Sequence, residues 1–223
     1  MCPLRELIPE RALQRAKKPS GRVGVFCTRR TRTTRYASQH AHSREPMCTS
    51  VSLHWVMTCH ITGMLPECSA AQMRLIMQQG LRTHRAVQGA NADGRAHGML
   101  HAHGMLHAHE VLEHSPLPPR YAHRELHGCV GCALPEEVKD YCVQLQDLRH
   151  LLTAPRSVTG QPVALLFTAT GHTTALFACK HGLFHFDSLV AQVEQIEFDD
   201  VMCVLLRTHK LSTDHEYSVV VVT

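Results

Sequence analysis

The stretch from Val163 to Asp187 constrains the fold of this chain more than any other. Val163-Ala164-Leu165-Leu166-Phe167-Thr168 is followed, after Thr170-Gly171, by His172-Thr173-Thr174-Ala175-Leu176-Phe177-Ala178. Gly182 then separates Leu183-Phe184-His185-Phe186-Asp187. Each run is short, apolar and rich in β-prone residues, and each break holds a glycine suited to a tight reversal. That pattern predicts an antiparallel meander. Two later apolar runs, Val201 to Leu206 and Tyr217 to Val222, read as further strands.

Helical spacing dominates earlier in the chain. From Cys48 to Ile61 the apolar positions recur with helical period, and Gly63 ends the pattern. Ser69 is placed as an N-cap, Met73, Ile76 and Met77 form an i, i+3, i+4 stripe, and Gly80 sits where a C-terminal cap is expected. Pro135 to Leu152 reads as another helix, with Glu136 and Glu137 at its positive end and Arg149 and His150 at the other. Residues 1–22 read as a short basic helix, Val23 to Cys27 as a first strand, and Arg29 to Pro46 as a loop. Helices followed by an antiparallel sheet define an α+β class.

The length of 223 residues fits one domain, with 1–22 as a basic arm and 23–223 as the folded body. A hydrophobic content of 44% is too high for a fully disordered chain. No apolar run reaches the roughly 18 residues of a membrane span, and no apolar segment follows the N-terminal basic residues as in a secretory signal. The ten cysteines are therefore expected as reduced thiols. Eleven Lys and Arg lie within residues 1–47 against Glu6, Glu10 and Glu45, a net +8 that leaves −4 for the remainder. Such an arm can contact nucleic acid or an acidic protein surface, but no aromatic platform accompanies it, and a solvated leader is favoured.

Residues 88–128 stand apart. Gly, Ala and His dominate, and the hexad Ala96-His97-Gly98-Met99-Leu100-His101 recurs as Ala102-His103-Gly104-Met105-Leu106-His107. Two copies of a six-residue unit cannot build a solenoid, so the segment reads as a His-rich insertion, partly disordered.

Two constellations carry chemistry. Cys48 opens a predicted helix, where the dipole and free N–H groups favour a thiolate and can hold an oxyanion. Its base would come from the following sheet, which offers His172 and His185 beside Asp187. The second constellation is His123, His127, Cys129 and Cys132: two histidines at i, i+4 and a C-x-x-C, four ligands of the types Zn²⁺ prefers. All lie within ten residues, which makes tetrahedral closure cramped. No cofactor is expected apart from Zn²⁺ at that cluster.

Met47-Cys48-Thr49-Ser50, the helix pair from Leu53 to Arg82, Gly171-His172-Thr173 and Phe186-Asp187 together resemble the deubiquitinating cysteine protease domain of the herpesvirus large tegument protein. The resemblance covers about residues 23–87 and 155–206. It implies a papain-like fold with N-terminal helices on a mainly antiparallel C-terminal sheet. It also implies ubiquitin or a ubiquitin-like protein, or viral tegument or host proteins, as partners. The implied setting is the virion tegument or the host cytoplasm or nucleus, with no membrane association. In that family the catalytic His follows the Asp by two residues, and that position here is Leu189. The family's upstream Gln, which helps form the oxyanion hole, has no counterpart between Arg29 and Tyr36, where Thr31 stands. The resemblance thus implies a degenerate site and a pseudoenzyme that acts by binding. The competing readings are an active deubiquitinase using Cys48 with His185 or His172 and Asp187, and a non-enzymatic viral protein that binds nucleic acid or metal.

Overall fold

The computed structural model describes residues 33–41, 43–62, 68–92, 108–115, 118, 121–132 and 140–223. Within them lie β1 (Thr33–Arg35), α1 (Cys48–Thr62), α2 (Ala70–Ala92), α3 (Ala108–His114), β2 (His123–Cys129), α4 (Leu148–Thr159), β3 (Val163–Ala169) and β4 (His172–Cys179). β5 (Gly182–Asp187), β6 (Gln192–Ile196), α5 (Val201–His209) and β7 (Glu216–Val222) complete the order. The basic arm at 1–22, the strand expected at Val23 to Cys27 and the hexad repeat lie outside the described residues.

The strands form one seven-stranded sheet in the order β1-β6-β5-β4-β3-β7-β2, antiparallel at every pairing. The expected meander is its centre: β3, β4 and β5 are buried along almost their whole length. Burial on both faces explains why these runs lack polar alternation. Thr170 and Gly171, both with positive φ, make the two-residue reversal that sets the β3–β4 register.

One face of the sheet carries α1, α2 and α3 around Trp55, Phe177 and Phe186; the other carries α4 and α5 around Phe167, Leu148 and Leu205. α1 is buried almost all round. Its Trp55 stacks on Phe186 at 4.9 Å and meets the edge of Phe177 at 6.1 Å, which locks the helix onto β4 and β5. Ser69 caps α2 as expected: its hydroxyl accepts from the Gln72 N–H, and the Gln72 side chain accepts from the Ser69 N–H.

Several expectations are corrected. α2 does not stop at Gly80. A Cβ there would lie 2.5 Å from Val51 Cγ2, so the glycine permits close helix contact rather than capping. Val201 to Leu206 is helical, not a strand. Continuous apolar runs do not separate a buried strand from a buried helix, and here Asp199 and Asp200 precede the helix while Arg207 and His209 lie in its last turn. Of the helix expected from Pro135 to Leu152, residues 135–139 lie outside the described residues, and the described α-helix begins at Leu148. Tyr141 to Val143 instead flank β2, where His127 N–H donates to Tyr141 O and Val143 N–H donates to His127 O. The insertion assigned to 88–128 is narrower, because its ends are the last turn of α2, the buried helix α3 and strand β2. The loop expected before Cys48 contains β1. Cys203 is disulfide-bonded, which corrects the all-thiol expectation there.

Candidate active site

Cys48 is the first residue of α1 and is 3% exposed. A lattice of hydroxyls fixes the helix start against the sheet. Thr49 Oγ1 lies 2.8 Å from Thr173 Oγ1, which lies 2.9 Å from Thr168 Oγ1, and Ser52 Oγ donates to Thr173 O. The residue before Thr173 is His172, so the same contacts bring the imidazole strand to the thiol helix.

His172 opens β4 and Asp187 closes β5. Ala175 pairs with Phe186 and Leu176 with His185, so continuing the register sets Thr174 opposite Asp187 and His172 opposite position 189. His172 and Asp187 are thus diagonal neighbours on one face of adjacent strands, within reach for long side chains. His172 Nε2–H donates to Asp187 Oδ1 at 2.9 Å, and Leu189 N–H donates to the same oxygen at 2.9 Å. His172 Nδ1 is buried and carries no hydrogen bond of full geometry, which leaves it for the Cys48 thiol.

The three groups shift one another in a consistent sense. Burial pushes the Cys48 thiol up. Hydrogen bonding to His172, the His172 charge and the Thr173 and Thr49 backbone groups outweigh it, so the pKa falls below the ordinary thiol value. Burial pulls His172 down, but Asp187 and Cys48 raise it to about 9. Asp187, penalised by burial, is held below the usual carboxylate range by its hydrogen bond to His172, the His172 charge and the Leu189 N–H. The arrangement favours a thiolate–imidazolium pair with an oriented carboxylate behind it.

His185 shares the β5 face with Asp187, as its spacing requires, but lies two residues deeper in the sheet. Burial pushes it down to about 3, and its Nε2 has no hydrogen-bond partner. The structure therefore brings together Cys48, His172 and Asp187 and leaves His185 deeper along the same face, without a partner at Nε2.

Two further residues were not singled out from sequence. Gln39, in a single turn of 3-10 helix, is 1% exposed. Its N–H donates to Ser188 O at 3.0 Å and its Oε1 accepts from Ser188 Oγ at 2.9 Å, which seats it on the turn following Asp187. It lies past the stretch Arg29 to Tyr36, where the resemblance places a glutamine. His209, at the end of α5, donates from Nδ1 to Ala169 O at 3.2 Å and accepts from Thr174 Oγ1 at Nε2. Its ring lies 5.3 Å from that of His172. Burial, then the His172 charge, hold it neutral, with a pKa of about 4.

The four expected metal ligands do not converge. His123 and His127 lie on strand β2, not on a helix, so their Cα atoms are about 13 Å apart along the strand. Among the described residues, the ligand atoms that do converge are those of Cys129, Cys132 and Asp214.

The fold is α+β and papain-like, and a Cys, a His and an Asp meet where the start of α1 abuts β4 and β5. Over 86% of its length the chain superposes on 85% of the ubiquitin-specific protease encoded by murine cytomegalovirus tegument protein M48, solved with a ubiquitin-based suicide substrate. The TM-score is 0.63 and the sequence identity 17%. The Pseudomonas avirulence protein AvrPphB aligns over 78% of this chain and 90% of its own, with a TM-score of 0.41 and 12% identity. No family model matches the sequence, and no curated protein does. No described helix is long and apolar enough to cross a membrane.

Proposed function

We propose that this chain is an active cysteine deubiquitinase in which Cys48 is the nucleophile, His172 the acid–base and Asp187 the group that orients the imidazole. The observation that carries this reading is the Nε2–Oδ1 hydrogen bond of 2.9 Å, which leaves Nδ1 to the Cys48 thiol. Cys48 attacks the carbonyl carbon of an isopeptide or peptide bond, and the carbonyl oxygen becomes an oxyanion near the α1 N-terminus. Gln39, held by Ser188 on the turn that follows Asp187, is the candidate for a further amide donor. The His172 imidazolium gives its proton to the departing amine, and the thioester is then hydrolysed by a water that His172 deprotonates.

Leu189 is the reason to expect a pseudoenzyme, since it occupies the position where the resemblance places a histidine. The hydrogen bond from His172 to Asp187 weakens that reason, because it supplies an imidazole beside the carboxylate without a histidine at 189. Ubiquitin is proposed as substrate because the fold matches a ubiquitin-specific protease over most of both chains. The same likeness supports a place in the virion tegument and, after entry, in the host cytoplasm or nucleus.

The test is covalent capture by ubiquitin carrying a C-terminal electrophile. One adduct per chain, mapped to Cys48 by peptide mass spectrometry and absent from Cys48→Ala, supports the reading. An unmodified parent chain under conditions where a small alkylating agent reaches Cys48 overturns the choice of substrate.

A further inference from the structure

The turn that ends β2 and the turn that precedes β7 meet away from the active site. Val130 N–H donates to His215 O at 2.9 Å, and Asp214 N–H donates to Val130 O at 3.0 Å. Gly131 and Asp214, both with positive φ, shape the two turns so that they face each other. A Cβ at Gly131 would touch Thr213 Cγ2 at 3.5 Å.

This junction gathers three ligand-type side chains from two segments. Cys129 Sγ and Cys132 Sγ lie 2.6 Å apart, and an Asp214 carboxylate oxygen is within 4.8 Å of both. Glu216 pairs directly with Cys129 across the strands and adds negative charge nearby. The thiols are half-buried and the carboxylate is exposed, so an ion can enter from solvent.

We propose that Cys129, Cys132 and Asp214 form a binding site for a thiophilic divalent transition-metal ion, zinc being the best match. Two thiolates and a carboxylate are standard zinc donors, and tetrahedral coordination leaves a fourth place for water or a neighbouring side chain. In a zinc tetrahedron the sulfurs would stand about 3.8 Å apart, which follows from Zn–S bonds of about 2.3 Å. The pair must therefore open by about 1 Å, a small side-chain rotation in a half-exposed turn. A disulfide would use the two sulfurs and leave the Asp214 carboxylate idle; a metal uses all three groups. Binding joins the two turns and clamps β2 to β7.

The position within the sheet matters. Gly128, Tyr217, Ala169 and His172 lie in one register across β2, β7, β3 and β4, so the cluster flanks the edge that carries the catalytic imidazole. It lies about 14 Å away, at three strand spacings. The ion therefore acts as a structural clip rather than in catalysis.

The test uses the full chain carrying Cys48→Ala, which removes the active-site thiol as a competing ligand, reduced with a metal-free phosphine. Cobalt(II) is titrated as a spectroscopic substitute for zinc. The expected result is a thiolate-to-cobalt charge-transfer band saturating at one equivalent and displaced by zinc, together with a zinc-dependent rise in melting temperature. Cys129→Ser combined with Cys132→Ser should abolish the band. Asp214→Asn, an exposed change that leaves the thiols in place, should keep the band but weaken affinity by more than about tenfold. Absence of the band, its survival in the double Ser variant, or unchanged affinity in Asp214→Asn would overturn the proposal. So would recovery of the pair as a disulfide that resists the reductant.

Discussion

His172 and Asp187 face each other diagonally across two adjacent strands, with Nε2–H and Oδ1 2.9 Å apart. The hydrogen bond fixes the tautomer. Because the carboxylate can only accept, Nε2 carries the proton and Nδ1 is the nitrogen left to exchange a proton with Cys48.

A pH profile follows from the shifts. The Cys48 thiol lies below its ordinary value and His172 is raised to about 9, so the ion pair exists between those two limits. Turnover should rise with pH as Cys48 ionises and fall again as His172 loses its proton near pH 9. In His172→Ala burial of Cys48 is opposed only by the Thr173 and Thr49 backbone groups, and the thiol pKa should rise. Alkylation by iodoacetamide at pH 7 should then slow by at least about tenfold, since one pKa unit is one decade of thiolate. An unchanged alkylation profile would exclude His172 as the group that ionises Cys48.

His185→Leu should leave turnover within twofold of the parent. It replaces a buried imidazole, whose Nε2 has no partner, by an apolar side chain of similar size. Stability should be unchanged or higher by about 1 kcal/mol, because a desolvated polar group is removed. A large loss of turnover with intact folding would assign His185 a role in the chemistry.

Thr173→Val should cost about 2 kcal/mol in denaturant unfolding, since it leaves the buried Thr49 and Thr168 hydroxyls without the oxygen they share. It should also lower kcat more than KM, because the helix bearing Cys48 loses part of its anchor to the strand bearing His172. Equal losses in Thr168→Val and Thr173→Val would show that the contact to α1 adds nothing.

Gly80→Ala tests the α1–α2 contact. Alanine favours the helix by about 1 kcal/mol, yet its Cβ would meet Val51 Cγ2 at 2.5 Å and the Val51 Cα at 2.9 Å. Overpacking of about 1–3 kcal/mol should prevail, lowering the melting temperature by several degrees. A higher melting temperature would mean that the two helices separate freely.

Legibility in the sequence followed burial. β3, β4 and β5 were readable because strands buried on both faces write continuous apolar runs between turn glycines. α1 was readable because helical spacing starts abruptly at Cys48. Val201 to Leu206 was not, since its apolar run satisfies either period and only packing under Phe167 decides. The polar strands Thr33–Arg35, at the sheet edge, and Gln192–Ile196, next to it, owe their form to pairing with each other and, for the second, with β5. Cys48, His172 and Asp187 could be nominated from local pattern, but choosing His172 over His185 needed the β4–β5 register. Gln39 and Asp214 reach their sites through tertiary contacts that no local spacing records.

The most direct test is turnover of a fluorogenic ubiquitin C-terminal amide by the parent, Cys48→Ala, His172→Ala and His185→Leu chains, each checked for native folding. The account predicts Cys48-dependent turnover by the parent, retained in His185→Leu. It predicts a loss of roughly 10³-fold or more in kcat for both Cys48→Ala and His172→Ala, the scale expected when one member of a catalytic unit is removed. Turnover by His172→Ala at the parental rate, or a correctly folded parent with no turnover, would contradict it.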